Sequence, residues 1–387
     1  MSRKWLLSVV VLLAFSTGPI AAAQAPPAAK NKNEAKAAPV DKARARELLQ
    51  KRQRGERLTQ DEEAYLQRAR EERRRRGAGQ ADRKAPSTPR EKTGLTPLTE
   101  MSADDRYKEQ DGGLYGQGSN TPPEEHRRAA KEQAAKIEPL DAQGKPASDG
   151  RIVLVSISMS NATQEFSTFK LLADSEPAKS PKLMIVDCAQ GGQAMAEWAP
   201  PEALPWQVAE RRLKTVGVTP EQVQIAWIKL ANKQPRGELE EHGKKLQRDT
   251  LAVIQNAKAR FPNLRIAYLA SRIYAGYATN TLNPEPYAYE SAFVVRWLIQ
   301  DQIKGTPELN YDPDQGEAKA PLLLWGPYFW ADGVTPRKAD GLVWKRDDLA
   351  GDGVHPSPSG REKAARMLLD FFKTDDTARP WFVRASQ

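Results

Sequence analysis

From residue 151 onward the chain alternates short apolar runs with longer amphipathic stretches. Arg151–Ile157, Lys182–Val186, Gln224–Ile228, Leu264–Leu269 and Pro321–Trp325 are rich in Ile, Val and Leu. Continuous apolar runs of that length predict buried strands. Between them Thr163–Leu172, Trp206–Val216, Gly237–Phe261 and Glu290–Ile303 read as helices, and Ser359–Phe372 closes the series as another. Strand and helix alternate throughout. That pattern predicts an α/β fold, a mostly parallel five-stranded sheet covered by helices on both faces. Ligands bind such sheets beyond the carboxyl ends of the strands. The polar residues just past each run are therefore the first candidates for chemistry.

The N-terminal part has a different character. Arg3 and Lys4 precede an apolar run from Trp5 to Phe15, and Ala21-Ala22-Ala23 follows. This is the pattern of a secretory signal peptide over 1–23, and it predicts a secreted or periplasmic protein. The apolar run is too short to span a bilayer. Residues 24–97 read as a basic arm, largely disordered. Within it about 41–76 carries spaced Leu and Tyr residues, with Thr59 as an N-cap, and reads as a short helical hairpin. No ladder of acidic ligands accompanies the hairpin, so it is not read as a calcium site. Residues 98–150 are turn-rich apart from a helical stretch, Glu124–Lys136. They read as an irregular extension packing on the main domain, 151–375, with 376–387 as a C-terminal tail.

Charge follows the same division. The formal net charge is +9. Residues 24–92 carry 20 Lys and Arg against 11 Asp and Glu, while 151–387 is nearly balanced. The basicity thus belongs to the arm, which argues against a nucleic-acid surface on the folded part. An anionic envelope or polysaccharide is the partner such an arm would meet, if it is more than a solvated spacer. Cys188 is the only cysteine. An intramolecular disulfide and a Cys-ligated zinc site are both excluded. No cluster suggests another metal, although Asp187 ends a strand, and no cofactor motif is present.

Polar groups recur just after the predicted strands. The first is followed by Ser158-Met159-Ser160-Asn161, the second by Asp187 to Gln193 with Gly191-Gly192, and the third by Asn232. Asp352-Gly353-Val354-His355-Pro356 follows the fifth strand and an aromatic loop. Together these supply the parts of acyl transfer. A serine hydroxyl needs a base to take its proton. Histidine, ordinarily titrating near pH 6.5, is suited to that task, and a carboxylate can orient it. The reading is Ser160 as nucleophile, His355 as base and Asp352 as its orienting acid. The backbone N–H groups of Ser160 and Gly192 and the side-chain amide of Asn232 would form an oxyanion hole. Ser158 is the rival nucleophile, and sequence does not separate Gly191 from Gly192.

The four blocks resemble those of the SGNH (GDSL-type) hydrolase superfamily, over about 151–375. The most specific piece is the run from Asp352 to Gly360 ahead of a helix. Ser160-Asn161 and Gly191–Trp198 are similar to the branch of sialate-O-acetylesterases and acetyl-xylan esterases. The first block departs from Gly-Asp-Ser, and the third lacks its usual glycine. The resemblance implies a flavodoxin-like three-layer fold and ester hydrolysis through an acyl-serine. It suggests acetyl groups on carbohydrate as the substrate, or another acylated small molecule.

Other residues divide between structural and functional readings. Arg272 and Tyr274 after the fourth strand, and Trp330 after the fifth, are candidates for substrate binding. A buried salt bridge for Arg272 and a core role for the aromatics are the competing readings. His126 and His242 lie in charged helices and are read as surface residues. Two further functions stay open: a carbohydrate-binding protein on a degenerate hydrolase fold, and an envelope scaffold acting through its arm.

Overall fold

The computed structural model describes residues 89–384, residues 58–69 and five positions between 41 and 51. The expected signal peptide and most of the arm lie outside the described residues. The chain divides into two compact units, Met1–Gln80 and Ala81–Gln387. In the first, residues 60–69 are helical, and Thr59 and Glu62 cap each other reciprocally. The Glu62 N–H donates to Thr59 Oγ1 (3.3 Å) and the Thr59 N–H to Glu62 Oε2 (2.8 Å). Lys51 pairs with Glu62 at 2.8 Å, and Leu48 and Leu66 are buried. The turn of the expected hairpin lies outside the described residues.

The second unit is built on five strands: β1 (Ile152–Ile157), β2 (Leu183–Asp187), β3 (Val223–Lys229), β4 (Ile266–Ala270) and β5 (Leu322–Trp325). They form one sheet in the order β2-β1-β3-β4-β5, and every pairing is parallel. The helices are α1 (Glu124–Ala135), α2 (Ser160–Asp174), α3 (Met195–Trp198), α4 (Leu204–Thr215), α5 (Leu239–Arg260), α6 (Tyr287–Ile303), α7 (Pro358–Thr374) and α8 (Arg379–Phe382). Here α2 packs with α7, and α5 with α3 and α6. This is the flavodoxin-like three-layer α/β/α arrangement. Both sheet faces are covered, which is why β1, β3 and β4 are buried at every position and read as unbroken apolar runs.

The packing explains the helix faces. Ala162, Phe166, Phe169 and Ala173 form the buried stripe of α2. Phe166 stacks on Trp227 of β3 at 5.4 Å, and Phe169 meets Phe372 of α7 at 5.2 Å. Each such ring contributes about 2–3 kcal/mol by leaving water. Trp381 and Phe382 join this cluster. Residues 376–384, expected as a tail, are thus anchored to the core by these two aromatic rings.

The chain from Arg90 onward also belongs to this unit. The Arg90 N–H donates to the Gly276 carbonyl (2.8 Å) and Thr93 to Asp332 (2.6 Å), so the expected arm ends before Arg90. Further on, Arg296 of α6 donates to the Asp111 carbonyl (2.7 Å), and the Trp325 indole N–H to the Leu114 carbonyl (2.8 Å). His126 and His242 are buried rather than exposed. A His126 ring nitrogen meets the Leu323 carbonyl (2.9 Å) while the Leu323 N–H donates to Gln302 (2.7 Å). The outward backbone groups of Leu323 in edge strand β5 are thereby satisfied. His242 faces Glu290 at 2.5 Å, and Glu290 also accepts from Tyr107 and Lys108. Among the described residues, no helix is long and apolar enough to cross a membrane.

Candidate active site

All strands run one way, so the loops after β1, β2, β3, β4 and β5 open at one edge of the sheet. From β1 the order extends to β2 on one side and to β3 on the other. A crevice is expected at such a switch. Ser160, three residues past β1, is the first residue of α2. The N–H groups of a first turn lack intrahelical partners and carry the positive end of the helix dipole. Ser160, the expected nucleophile, thus sits at the positive end of α2.

Three loops converge here. Met159, Ala194 and Ala231 touch one another in a small apolar cluster. The Gln190 N–H donates to the Ser158 carbonyl (2.9 Å) and the Met195 N–H to the Ala231 carbonyl (3.0 Å). The Trp198 indole N–H donates to Ser158 as well (3.2 Å). The Ser160, Gly192 and Asn232 segments are therefore neighbours.

The fourth segment arrives from 195 residues away in sequence. Ser160 Oγ lies 2.7 Å from His355 Nε2, and His355 Nδ1 lies 2.6 Å from Asp352 Oδ2. With Nδ1 donating its proton to Asp352 Oδ2, Nε2 is the acceptor for the Ser160 hydroxyl. The other Asp352 oxygen accepts from the N–H groups of Val354 (3.1 Å) and His355 (3.0 Å). One carboxylate thus folds the turn and orients the ring. Burial pushes the Asp352 carboxyl up, but the His355 ring and these two N–H donors outweigh it and hold it well below the usual range. Gly353 has φ +67°, and a Cβ there would sit 1.8 Å from the Tyr277 carbonyl. Only glycine fits this close, left-handed position. Both His355 and Asp352 keep solvent contact, with side chains 21% and 32% exposed.

Ser158, the rival, is fully buried, and its hydroxyl is engaged by the Lys229 carbonyl. Gly192 is exposed with φ +78°, and its carbonyl accepts from Lys233 Nζ (3.0 Å). Gly191 is also exposed but lacks the left-handed geometry. The Asn232 side chain is held at both ends. Its Oδ1 accepts from the Ala196 N–H (2.9 Å), and its Nδ2 donates to Asp249 (2.6 Å). That orientation leaves one amide hydrogen for another acceptor.

The expected substrate-binding trio is corrected. Arg272, Tyr274 and Trp330 are each no more than 1% exposed and have no surface to offer a ligand. Their loops fold inward. Arg272 Nη2 donates to the Val354 carbonyl (3.3 Å), Tyr274 to the Arg90 carbonyl (2.7 Å) and the Trp330 indole N–H to Glu285 (2.9 Å). The neighbouring aromatics Tyr277, Tyr289, Trp325, Tyr328 and Phe329 are likewise core. Asp187 is occupied by the hydroxyls of Ser156 and Thr163.

Sequence reasoning missed a buried polar layer behind the site. Lys229 and Glu165 form an ion pair, both side chains fully buried. Burial brings the Lys229 ammonium down to about 8, with Glu165 opposing and Arg272 assisting the shift. Asn161, 1% exposed, donates from Nδ2 to the Val354 carbonyl (2.9 Å). The signal was available: Lys229 is the one charge in the β3 run, and Asn161 and Glu165 occupy the inward stripe of α2.

By fold, then, the chain is a three-layer α/β protein with a Ser–His–Asp hydrogen-bonded chain at the carboxyl edge of its sheet. No family model matches it, and no curated protein matches it in sequence. Among solved structures it is similar to a Bacillus subtilis protein at 10% identity and TM-score 0.32, over 59% of this chain. The match spans 57% of that protein's length, less than two thirds. It is similar to the periplasmic domain of the lipopolysaccharide acetyltransferase of Salmonella Paratyphi A, at 11% identity and TM-score 0.30. That match covers 64% of this chain and 94% of the domain. An extracellular lipase from Streptomyces rimosus is similar at 11% identity and TM-score 0.28, over 57% of this chain and 99% of the lipase.

Proposed function

We propose that this protein is an exported serine ester hydrolase with Ser160 as nucleophile, His355 as base and Asp352 as orienting carboxylate. The observation that carries the reading is the unbroken chain from Ser160 Oγ through the His355 ring to Asp352, with links of 2.7 and 2.6 Å. In this reading His355 Nε2 takes the Ser160 proton as Oγ attacks the acyl carbon. It then gives that proton to the departing alcohol, and water cleaves the acyl-serine by the same route. The N–H groups of Ser160 and Gly192 and the remaining Asn232 amide hydrogen would receive the negative charge on the carbonyl oxygen. Export rests on the pattern from Arg3 to Ala23. Acetylated carbohydrate is the first substrate class to examine. It rests on the resemblance of Ser160-Asn161 and Gly191–Trp198.

The test is hydrolysis of 4-nitrophenyl acetate by the full chain beside Ser160→Ala, both checked for folding by circular dichroism, followed by acetylated glycans. Turnover that falls to background in the alanine variant supports the reading. Equal rates in both variants, or none in either on any of these esters, would overturn it.

A further inference from the structure

Asn161 directly follows Ser160, and Val354 directly precedes His355. The carbonyl of Val354 joins these two dipeptides across 193 residues of sequence. It accepts from Asn161 Nδ2 at 2.9 Å and from Arg272 Nη2 at 3.3 Å. Both donors are 1% exposed, and Val354 is fully buried. One oxygen is thus gripped by the first turn of α2 and by the loop after β4. Neither donor is explained by its local segment. Asparagine is a poor helix former on an inward stripe, and a guanidinium is costly to bury. The Arg272 Nε has no hydrogen-bond partner, and the charge faces Glu165, Glu285 and Asp352.

We propose that Asn161 and Arg272 are positioning residues for acyl transfer, which hold the Val354 carbonyl between them and so fix the His355 imidazole relative to Ser160. The inference rests on the Ser160–His355–Asp352 reading given above. In the free enzyme the Ser160–His355 hydrogen bond itself aligns the ring. During acylation the Oγ–H bond breaks, its proton goes to Nε2, and an Oγ–carbon bond forms. The alkoxy–carbon bond then breaks, and its oxygen leaves with the pair and that proton. The direct Ser160–His355 bond no longer exists in the acyl-serine. The ring must still face the water that attacks next, and the grip on Val354 is independent of Oγ. Its loss therefore weighs most on deacylation.

The experiment compares Asn161→Ala with the unchanged full chain on 4-nitrophenyl acetate, using stopped-flow and steady-state rates. Asn161→Ser, which also shortens the side chain, is measured in the same way in case the alanine variant does not fold. Misplacing a catalytic group by about an ångström typically costs ~100-fold. The expected result is a kcat lower by about 10- to 100-fold and a smaller loss in kcat/KM, so that KM falls. A burst of about one equivalent of nitrophenol should precede the slow turnover. Unchanged kcat, or equal losses in kcat and kcat/KM without a burst, would overturn the inference while leaving Ser160 as nucleophile. An unchanged chain inert towards every ester tried would remove the functional reading and this inference with it.

Discussion

Replacing the Asp352 carboxylate by an amide, Asp352→Asn, exchanges one oxygen for nitrogen and reverses the direction of a hydrogen bond. The retained Oδ1 still accepts from the Val354 and His355 N–H groups, so the turn should survive. The other position, 2.6 Å from His355 Nδ1, changes from acceptor to donor. Nδ1 must then accept, and the ring proton moves to Nε2. There it points at Ser160 Oγ, 2.7 Å away, which can no longer give its proton to that nitrogen. In serine hydrolases generally the wrong tautomer with intact geometry costs about 10⁴-fold in kcat. That is about 5 kcal/mol of transition-state stabilisation. The assay is steady-state hydrolysis of an acetyl ester at pH 7, with folding checked by circular dichroism. A folded Asp352→Asn retaining a tenth of the original kcat would refute the argument, because the Asp352–His355 bond would not be setting the tautomer. The same variant has a stability signature. A carboxyl held low in the fold contributes stability that is present above its unfolded pKa and lost on acidification. The asparagine variant should lack that part of the acid sensitivity.

Two further predictions concern the surroundings of the site. Burial pushes the Glu285 carboxyl up to about 7, against hydrogen bonds from Ala275 N–H, Trp330 Nε1–H and Tyr289 N–H and the charge of Arg272. A carboxyl raised in the fold holds its proton better there than in the unfolded chain. Its stabilisation is therefore complete below about pH 4.5 and lost as the pH rises to about 7. The residue is only half-buried overall, so solvent screening makes about 3 kcal/mol an upper value. Glu285→Gln should flatten urea-unfolding stability across that window; parallel pH profiles for the two proteins would sink the reasoning. Asn232→Ala should lower kcat by about 100- to 1,000-fold with little change in KM, if its free amide hydrogen serves the oxyanion. A loss below threefold would leave Asn232 only its bonds to Ala196 and Asp249.

The parallel sheet was readable because a strand buried on both faces is apolar at nearly every position. β4 and β5 were expected within two residues of their observed ends. β3 runs one residue further than expected at each end, and at its C-terminal end the added residue, Lys229, is a buried strand residue. α2 starts at Ser160 rather than Thr163, since Ser and Asn were read as preceding a helix rather than opening one. His126 and His242 were misplaced for a related reason. Their sequence neighbours are charged, but the partners that bury them are the Leu323 carbonyl and Glu290, supplied by distant segments. Periodicity describes one face of one helix and carries no information about what arrives opposite.

The candidate site divides along the same line. Asp352 and His355 could be read together because their geometry closes within four residues. Ser160 could be placed because strand polarity puts it at the carboxyl edge. Arg272, Tyr274 and Trp330 were placed at that edge by the same rule and are buried, since strand polarity locates a loop without saying which way it folds. The layer containing Asn161, Glu165 and Lys229 has no local motif at all. It has a different signal, a polar residue where the period demands an apolar one. Asn161 and Glu165 stand four apart on the stripe that otherwise carries Ala162, Phe166 and Phe169. Burying such groups costs stability unless each is paired. Their partners here are the Val354 carbonyl, next to His355, and Lys229, the last residue of β3. A polar interruption of an inward stripe, within the first turns of the helix that begins with Ser160, is therefore evidence about the candidate site and not about the helix.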